Sequence, residues 1–235
     1  MSALTEAQIR NGYFHGVGGF PPLNETDDRT NYAREVKDYS GQERLCIVCT
    51  QLDNYGYSER EKKRVLAEWI DFLRTDTKAF KALHFNSRVS QALFDAVCSQ
   101  KYLEELRFKW GAYSNLSALE NLQKLKYLYI GSGSCVRDIT VLGKLKNLIV
   151  LYVENFKQIE DYSPLITLDR LEQLIISGPV LGLTPIEDYE FLRNMRCLLS
   201  AWFPNTTMRR KYTPNELADL RATLPKLTFI HDSGL

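Results

Sequence analysis

The chain of 235 residues is 44% apolar and 25% charged, enough to bury one large core or two small ones. Lys plus Arg number 30 against 29 Asp plus Glu, a balance that gives no net field to attract nucleic acid or an anionic membrane. The first thirty residues lack a basic segment followed by an apolar one, and no stretch reaches the ~18 apolar residues of a spanning helix, so a cytoplasmic location is expected.

Residues 1–42 carry little periodicity. Gly12, Gly16, Gly18, Gly19, Pro21 and Pro22 punctuate a stretch containing Tyr13, Phe14 and Phe20. The run from His15 to Gly19 follows no strand and lacks the Lys-Ser/Thr ending of a phosphate loop. The segment is expected to be an irregular N-terminal cap whose aromatics cover the first core layer, with the remaining domain spanning 43–235.

Residues 45–50 read as a buried strand containing Cys46 and Cys49. Residues three apart on a strand point to opposite faces, so the pair is expected to be two buried thiols and not a metal or redox site. The other cysteines, Cys98, Cys135 and Cys197, show no framework spacing, which suits reduced thiols. Ser58-Glu-Arg-Glu61 is a capping box that opens a helix. Val65, Leu66, Trp69, Ile70 and Leu73 then form one apolar stripe along it.

From residue 80 a longer period takes over. Phe80-x-x-Leu83-x-Phe85, Leu103-x-x-Leu106-x-Phe108, Leu125-x-x-Leu128-x-Ile130, Leu148-x-x-Leu151-x-Val153 and Leu171-x-x-Leu174-x-Ile176 recur at intervals of 23, 22, 23 and 23 residues. Units of this length cannot bury their apolar residues singly and must stack. The pattern resembles leucine-rich repeats. Its second halves (Leu116, Leu119, Leu122; Ile139, Leu142, Leu145; Leu165, Leu168) look like the short bacterial units of internalin type.

The resemblance covers 80–235, extending to 45–235 if the first strand and helix are counted. It implies an α/β leucine-rich-repeat solenoid, a horseshoe with a parallel concave sheet. α-Helices are expected behind the N-terminal units, where Val89, Leu93, Ala96 and Val97 make an apolar face, and short 3₁₀-like turns behind the later ones.

Two departures stand out. At the ninth position, where the family usually has Asn or Cys, this chain has Gly111, Gly133, Phe156 and Pro179, so the side-chain ladder of that position is missing. After Ile176 the spacing breaks, and the next strand follows either Met195 or Leu198, the latter filling its core slots with Ala201 and Phe203. Met208 to Tyr212 make a small basic tip; Thr213-Pro-Asn-Glu216 caps a further helix. Leu217, Leu220 and Leu224 give that helix its apolar face, and a last strand at 227–230 closes the array, with 213–235 as its C-terminal cap.

Alternation along each strand directs Glu105, Arg107 and Lys109, then Tyr127 and Tyr129, then Tyr152 and Glu154, then Gln173, to solvent on the concave side. Clustered tyrosines flanked by ions have the composition of an interface hot spot. These eight residues, with Trp110 at the rim, are therefore expected to bind another protein. Eight strands project only about 350 Å², short of the roughly 800 Å² that a standard interface takes from each partner. Adjoining loops must contribute.

No catalytic, cofactor or metal site is expected. His15, His84 and His231 fall far apart in such a stack, and none has a nucleophile or carboxylate at a known motif spacing. Asp138 and Asp161 precede convex turns as caps. The expected role is a protein-binding module, an adaptor or an inhibitor or immunity-type partner of one other protein, acting as a monomer. The alternatives are an enzyme with its site between 1–57 and the horseshoe, and a self-assembling structural protein.

Overall fold

Each Leu-x-x-Leu-x-Leu stretch forms a strand whose leucines face one way, and stacking these strands side by side gives a parallel sheet over a single core. The computed structural model describes residues 2–14 and 32–231. Among these the main sheet has nine strands, all paired parallel and in sequence order. They are β1 (Tyr32–Ala33), β2 (Arg44–Ile47), β3 (Ala82–Phe85), β4 (Glu105–Phe108), β5 (Tyr127–Ile130), β6 (Val150–Glu154), β7 (Gln173–Ser177), β8 (Ser200–Trp202) and β9 (Phe229–His231). The register sets Leu45, Leu83, Leu106, Leu128, Leu151, Leu174 and Ala201 in one row, all fully buried. Ser200 pairs with Gln173 and Ala201 with Leu174, so the eighth strand belongs to the unit that starts at Leu198.

The backs of the units shorten along the chain. α1 (Glu6–Asn11) precedes the array; α2 (Glu59–Thr75) and α3 (Gln91–Val97) back the first units; α4 (Pro214–Ala222) lies near the end. Between α3 and α4 the backs are 3₁₀ turns at Ser117–Asn121, Thr140–Lys144, Ser163–Thr167 and Glu190–Asn194. α2 has its capping box, with Ser58 accepting from the Glu61 amide. It buries Val65, Trp69 and Leu73, and the Trp69 indole donates to the Arg34 carbonyl at 2.8 Å. At the far end Leu220, Leu224 and Leu227 close the core, with Leu217 only half-buried.

The missing ladder is replaced by aromatic rings. A Cβ on Gly133 would lie 1.9 Å from the Phe156 ring, and one on Gly111 2.2 Å from the Tyr113 ring. Both rings are buried in the main core, and the Tyr113 hydroxyl donates to the Gly131 carbonyl. Glycine at these turns thus makes room for a ring from its own or the following unit.

Two expectations are corrected. Tyr39 does pack on the first core layer, 4.9 Å from Phe80 between ring centroids. Tyr13 and Phe14 do not; they lie on the concave face of the central strands. His15 and Phe20 fall outside the described residues. The basic tip is also less free than its sequence suggests: Arg209 pairs with Glu160, and Arg210 with Glu190 and Glu216.

Candidate binding face

The sheet register builds the concave face from two rows of side chains. One row holds Cys46, His84, Arg107, Tyr129, Tyr152, Ile175 and Trp202; the other holds Arg44, Ala82, Glu105, Tyr127, Val150, Gln173, Ser200 and Phe229. Glu154 lies beyond the first row, paired with Ser177. Lys109 and Trp110 follow β4. Trp110 donates to the Gln51 side chain at 2.9 Å and carries the Lys109 ammonium 4.4 Å from its ring, so it packs within the loops at the N-terminal end. Cys46 joins the concave row while Cys49 sits in the main core; burial pushes both thiols up to about 12.

The expected exposure of this face is not met. Tyr129 and Tyr152 retain only 6% and 8% of their surface, and Glu105, Arg107 and Gln173 are buried as well. The cover is the chain's own N-terminal segment. Leu4 and Phe14 pack with Tyr129, Val150, Tyr152 and Ile175 as a second apolar cluster separate from the main core, edged by Ile9, Tyr13, Tyr127 and Trp202.

The local sequence explains the shape of this cover. Thr5-Glu-Ala-Gln8 is a capping box that starts α1, with both reciprocal bonds present, and Gly12 at φ +85° ends it. A six-residue helix is marginal by itself, and the sheet supplies what it lacks. The Gln173 amide grips both sides of the helix end: its oxygen accepts from the Tyr13 amide at 2.7 Å, and its nitrogen donates to the Gln8 carbonyl at 3.0 Å. The Glu172 carboxylate accepts from the Ala3 amide and the Ser2 hydroxyl. Tyr13 stacks on Tyr127 with ring centroids 4.2 Å apart and planes 5° from parallel, and Phe14 lies 5.7 Å from Tyr129.

Charge is concentrated at the end of the face where Tyr13 docks. Glu105 receives His84 at 2.6 Å, Arg44 at 2.7 Å and the Tyr13 hydroxyl at 3.1 Å. Burial opposes ionisation of Glu105, but the His84 hydrogen bond and the charges of His84 and Arg44 outweigh it and hold the carboxyl at about 2. Burial, followed by the Glu105 charge, raises the Tyr13 phenol, which stays a hydrogen-bond donor. In the centre, Tyr129 and Tyr152 stack at 4.4 Å, the Tyr129 hydroxyl donates to Glu154, and the Arg107 guanidinium lies 5.2 Å from the Tyr129 ring. Burial pushes the Tyr152 phenol up to about 12.

The structure therefore brings together Glu105, Arg107, Tyr127, Tyr129, Tyr152, Glu154 and Gln173, while Trp110 stands apart in its loop. Sequence reasoning missed Leu4, Ile9, Tyr13, Phe14 and Glu172. One signal was available, the Thr5 to Gln8 capping box. It also missed the loop after β7, where Val180, Leu181 and Leu183 are 87%, 89% and 63% exposed. His84 and β9 are six strand steps apart, about 29 Å at the usual spacing. A cleft near the first strands is lined by Tyr32, Ala33, Arg34, Val48, Tyr55 and Asn86, which supply no carboxylate, imidazole or thiol.

The repeat register, the single-layer parallel sheet and the shortening backs define a leucine-rich-repeat solenoid. Solved structures with the same fold include internalin C2 from Listeria monocytogenes strain 4b F2365, at 22% identity and TM-score 0.52, covering 71% of this chain and 68% of that one. Internalin F from the same strain is 17% identical with TM-score 0.54, covering 83% of this chain and 55% of that chain. The plant peptide hormone receptor RGFR1, in complex with RGF2, is 15% identical with TM-score 0.51, and the match covers 69% of this chain but 25% of the receptor chain. No protein-family model matches the sequence, and no curated protein matches it. No helix among the described residues is long and apolar enough to cross a membrane.

Proposed function

We propose that this solenoid is a protein-binding module whose partner engages the concave face and the loops at its edge. The observation that carries this reading is the face itself: it holds a thirteen-residue segment, 2–14, through aromatic stacking and side-chain hydrogen bonds. Tyrosines with few rotors and polar tips, set among Arg107, Glu105 and Glu154, are the chemistry of a recognition surface. One solved structure of the same fold is a peptide hormone receptor in complex with RGF2, which supports a peptide or protein ligand as the class to test.

The apolar loop at 178–183, with Val180, Leu181 and Leu183 exposed, adds the area that the strands alone do not provide. Within this class we favour an adaptor or a dedicated inhibitor or immunity-type partner, acting as a monomer in a reducing compartment such as the cytoplasm. The buried thiols Cys46, Cys49 and Cys98 suit that location. Affinity capture from the source lysate tests the role, using wild type beside a Tyr127/Tyr129/Tyr152 triple alanine and a Val180/Leu181/Leu183 triple serine, each checked for folding by circular dichroism. The expected result is a protein held by wild type and weakened by either variant. Once it is identified, Tyr129→Ala should cost about 2 kcal/mol or more. Capture of nothing specific, or of proteins indifferent to both variants, refutes the reading.

A further inference from the structure

The N-terminal segment differs from the rest of the buried structure in how it is held. It adds no strand to the sheet and makes no backbone ladder with it. Its polar contacts run to the side chains of Gln173, Glu172 and Glu105. α1 has no fully buried residue, and the segment seals the cluster with two anchors, Leu4 and Phe14. The floor beneath it differs from the core behind the sheet in carrying buried charge: a carboxylate at Glu105 gripped by His84 and Arg44, and the Arg107 guanidinium beside the stacked phenols of Tyr129 and Tyr152. Burying charged groups costs free energy that apolar packing does not, so a charged floor suits a surface that meets solvent whenever its cover leaves.

We propose that residues 2–14 are an intramolecular ligand that occupies the partner site, and that the partner enters with a peptide of the same chemistry. That peptide is a short helical turn followed by an aromatic pair. The carbonyl of its last turn meets the Gln173 amide nitrogen, the amide of its first aromatic meets the Gln173 oxygen, and that aromatic stacks on Tyr127. A hydroxyl on its tip reaches Glu105, so tyrosine is preferred to phenylalanine at the first aromatic position, and the second aromatic fills the place of Phe14 against Tyr129. Covalent attachment makes binding of the chain's own segment intramolecular, so an incoming peptide must compete with its effective concentration at the site. The proposal builds on the protein-binding role, and the two fail separately: lysate capture judges whether another protein is engaged, whereas a synthetic peptide judges whether the concave cradle exchanges its occupant.

The test titrates a fluorescently labelled peptide of residues 1–14 into three full-length chains: wild type, Tyr13→Ala/Phe14→Ala, and the same double variant carrying Gln173→Ala. Binding to the double variant should be at least tenfold tighter than to wild type, and lost on adding Gln173→Ala. Equal binding to wild type and double variant, binding that survives Gln173→Ala, or no binding to a folded double variant would overturn the proposal. Hydrogen exchange on the wild-type chain covers the case in which the double variant does not fold. The amides of Ile9, Gly12 and Tyr13 should exchange at least tenfold faster than those of β5 to β7, through local release of the segment. Exchange of both sets at one common rate would make residues 2–14 an integral layer of the fold and overturn the proposal as well.

Discussion

At the scale of single residues, Glu105 and Gly133 show two different constraints. Glu105 is a buried carboxylate whose ionised form is favoured by His84 and Arg44. Its carboxyl is held at about 2 in the fold, below its ordinary value of 4.5. The folded state therefore binds a proton at Glu105 less readily than the unfolded chain, and this contribution to stability is complete above pH ~4.5 and lost as pH falls towards ~2. Denaturant titrations of wild type and Glu105→Gln should converge in unfolding free energy across that window; a difference that stays constant would show that Glu105 does not carry the acid dependence. Gly133 is constrained by space. Its missing Cβ is where the Phe156 ring sits, so Gly133→Ala should cost roughly 1–3 kcal/mol by overpacking. Most of that loss should disappear when Gly133→Ala is made in a Phe156→Leu background, a coupling that a double-mutant cycle measures.

At the scale of elements, strands were legible because an apolar residue at every second or third position has few places to go in a stack of fixed period. The Leu103, Leu125, Leu148 and Leu171 strands lie in the register that their spacing predicts. The shift from α-helix to 3₁₀ backs was legible from two signals. More residues separate Ile47 from Phe80 than Ile130 from Leu148, which leaves room for α2, whereas α3 lies in a unit of ordinary length and shows only in the apolar face of Val89, Leu93, Ala96 and Val97. Ser58 marks the start of α2 by its own chemistry, and Ser58→Ala should lower stability by about 1 kcal/mol in chemical denaturation. An unchanged midpoint would mean that burial of Trp69 alone fixes that helix end. What stayed illegible was where α1 goes. Its capping box predicts a helix, but no local rule states which surface a six-residue helix will find, because its docking depends on Gln173 and Tyr127, more than a hundred residues away. Exposure of the concave tyrosines was misjudged for that reason: strand alternation assigned their face correctly and had no means of supplying the cover.

At the scale of the whole molecule, the two ends of the sheet are closed by unlike means, α2 with the 32–39 segment at one end and α4 with Leu224 and Leu227 at the other. The core of such a stack is indifferent to the number of middle units, since each contacts only its neighbours. The docked segment is not indifferent. It reaches from Glu105 on β4 to Gln173 on β7, three strand steps, or about 14 Å at the usual spacing. A duplicated 23-residue unit placed between β5 and β6 would leave both caps intact and lengthen that reach by ~4.8 Å, too far for Tyr13 to hold both contacts. Such a chain should fold and melt cooperatively while the Tyr13 amide loses its slow exchange; retained protection there would show that the segment re-registers freely. Residues 2–14 thus match a set number of strands, a spacing that the packing of the units does not itself impose.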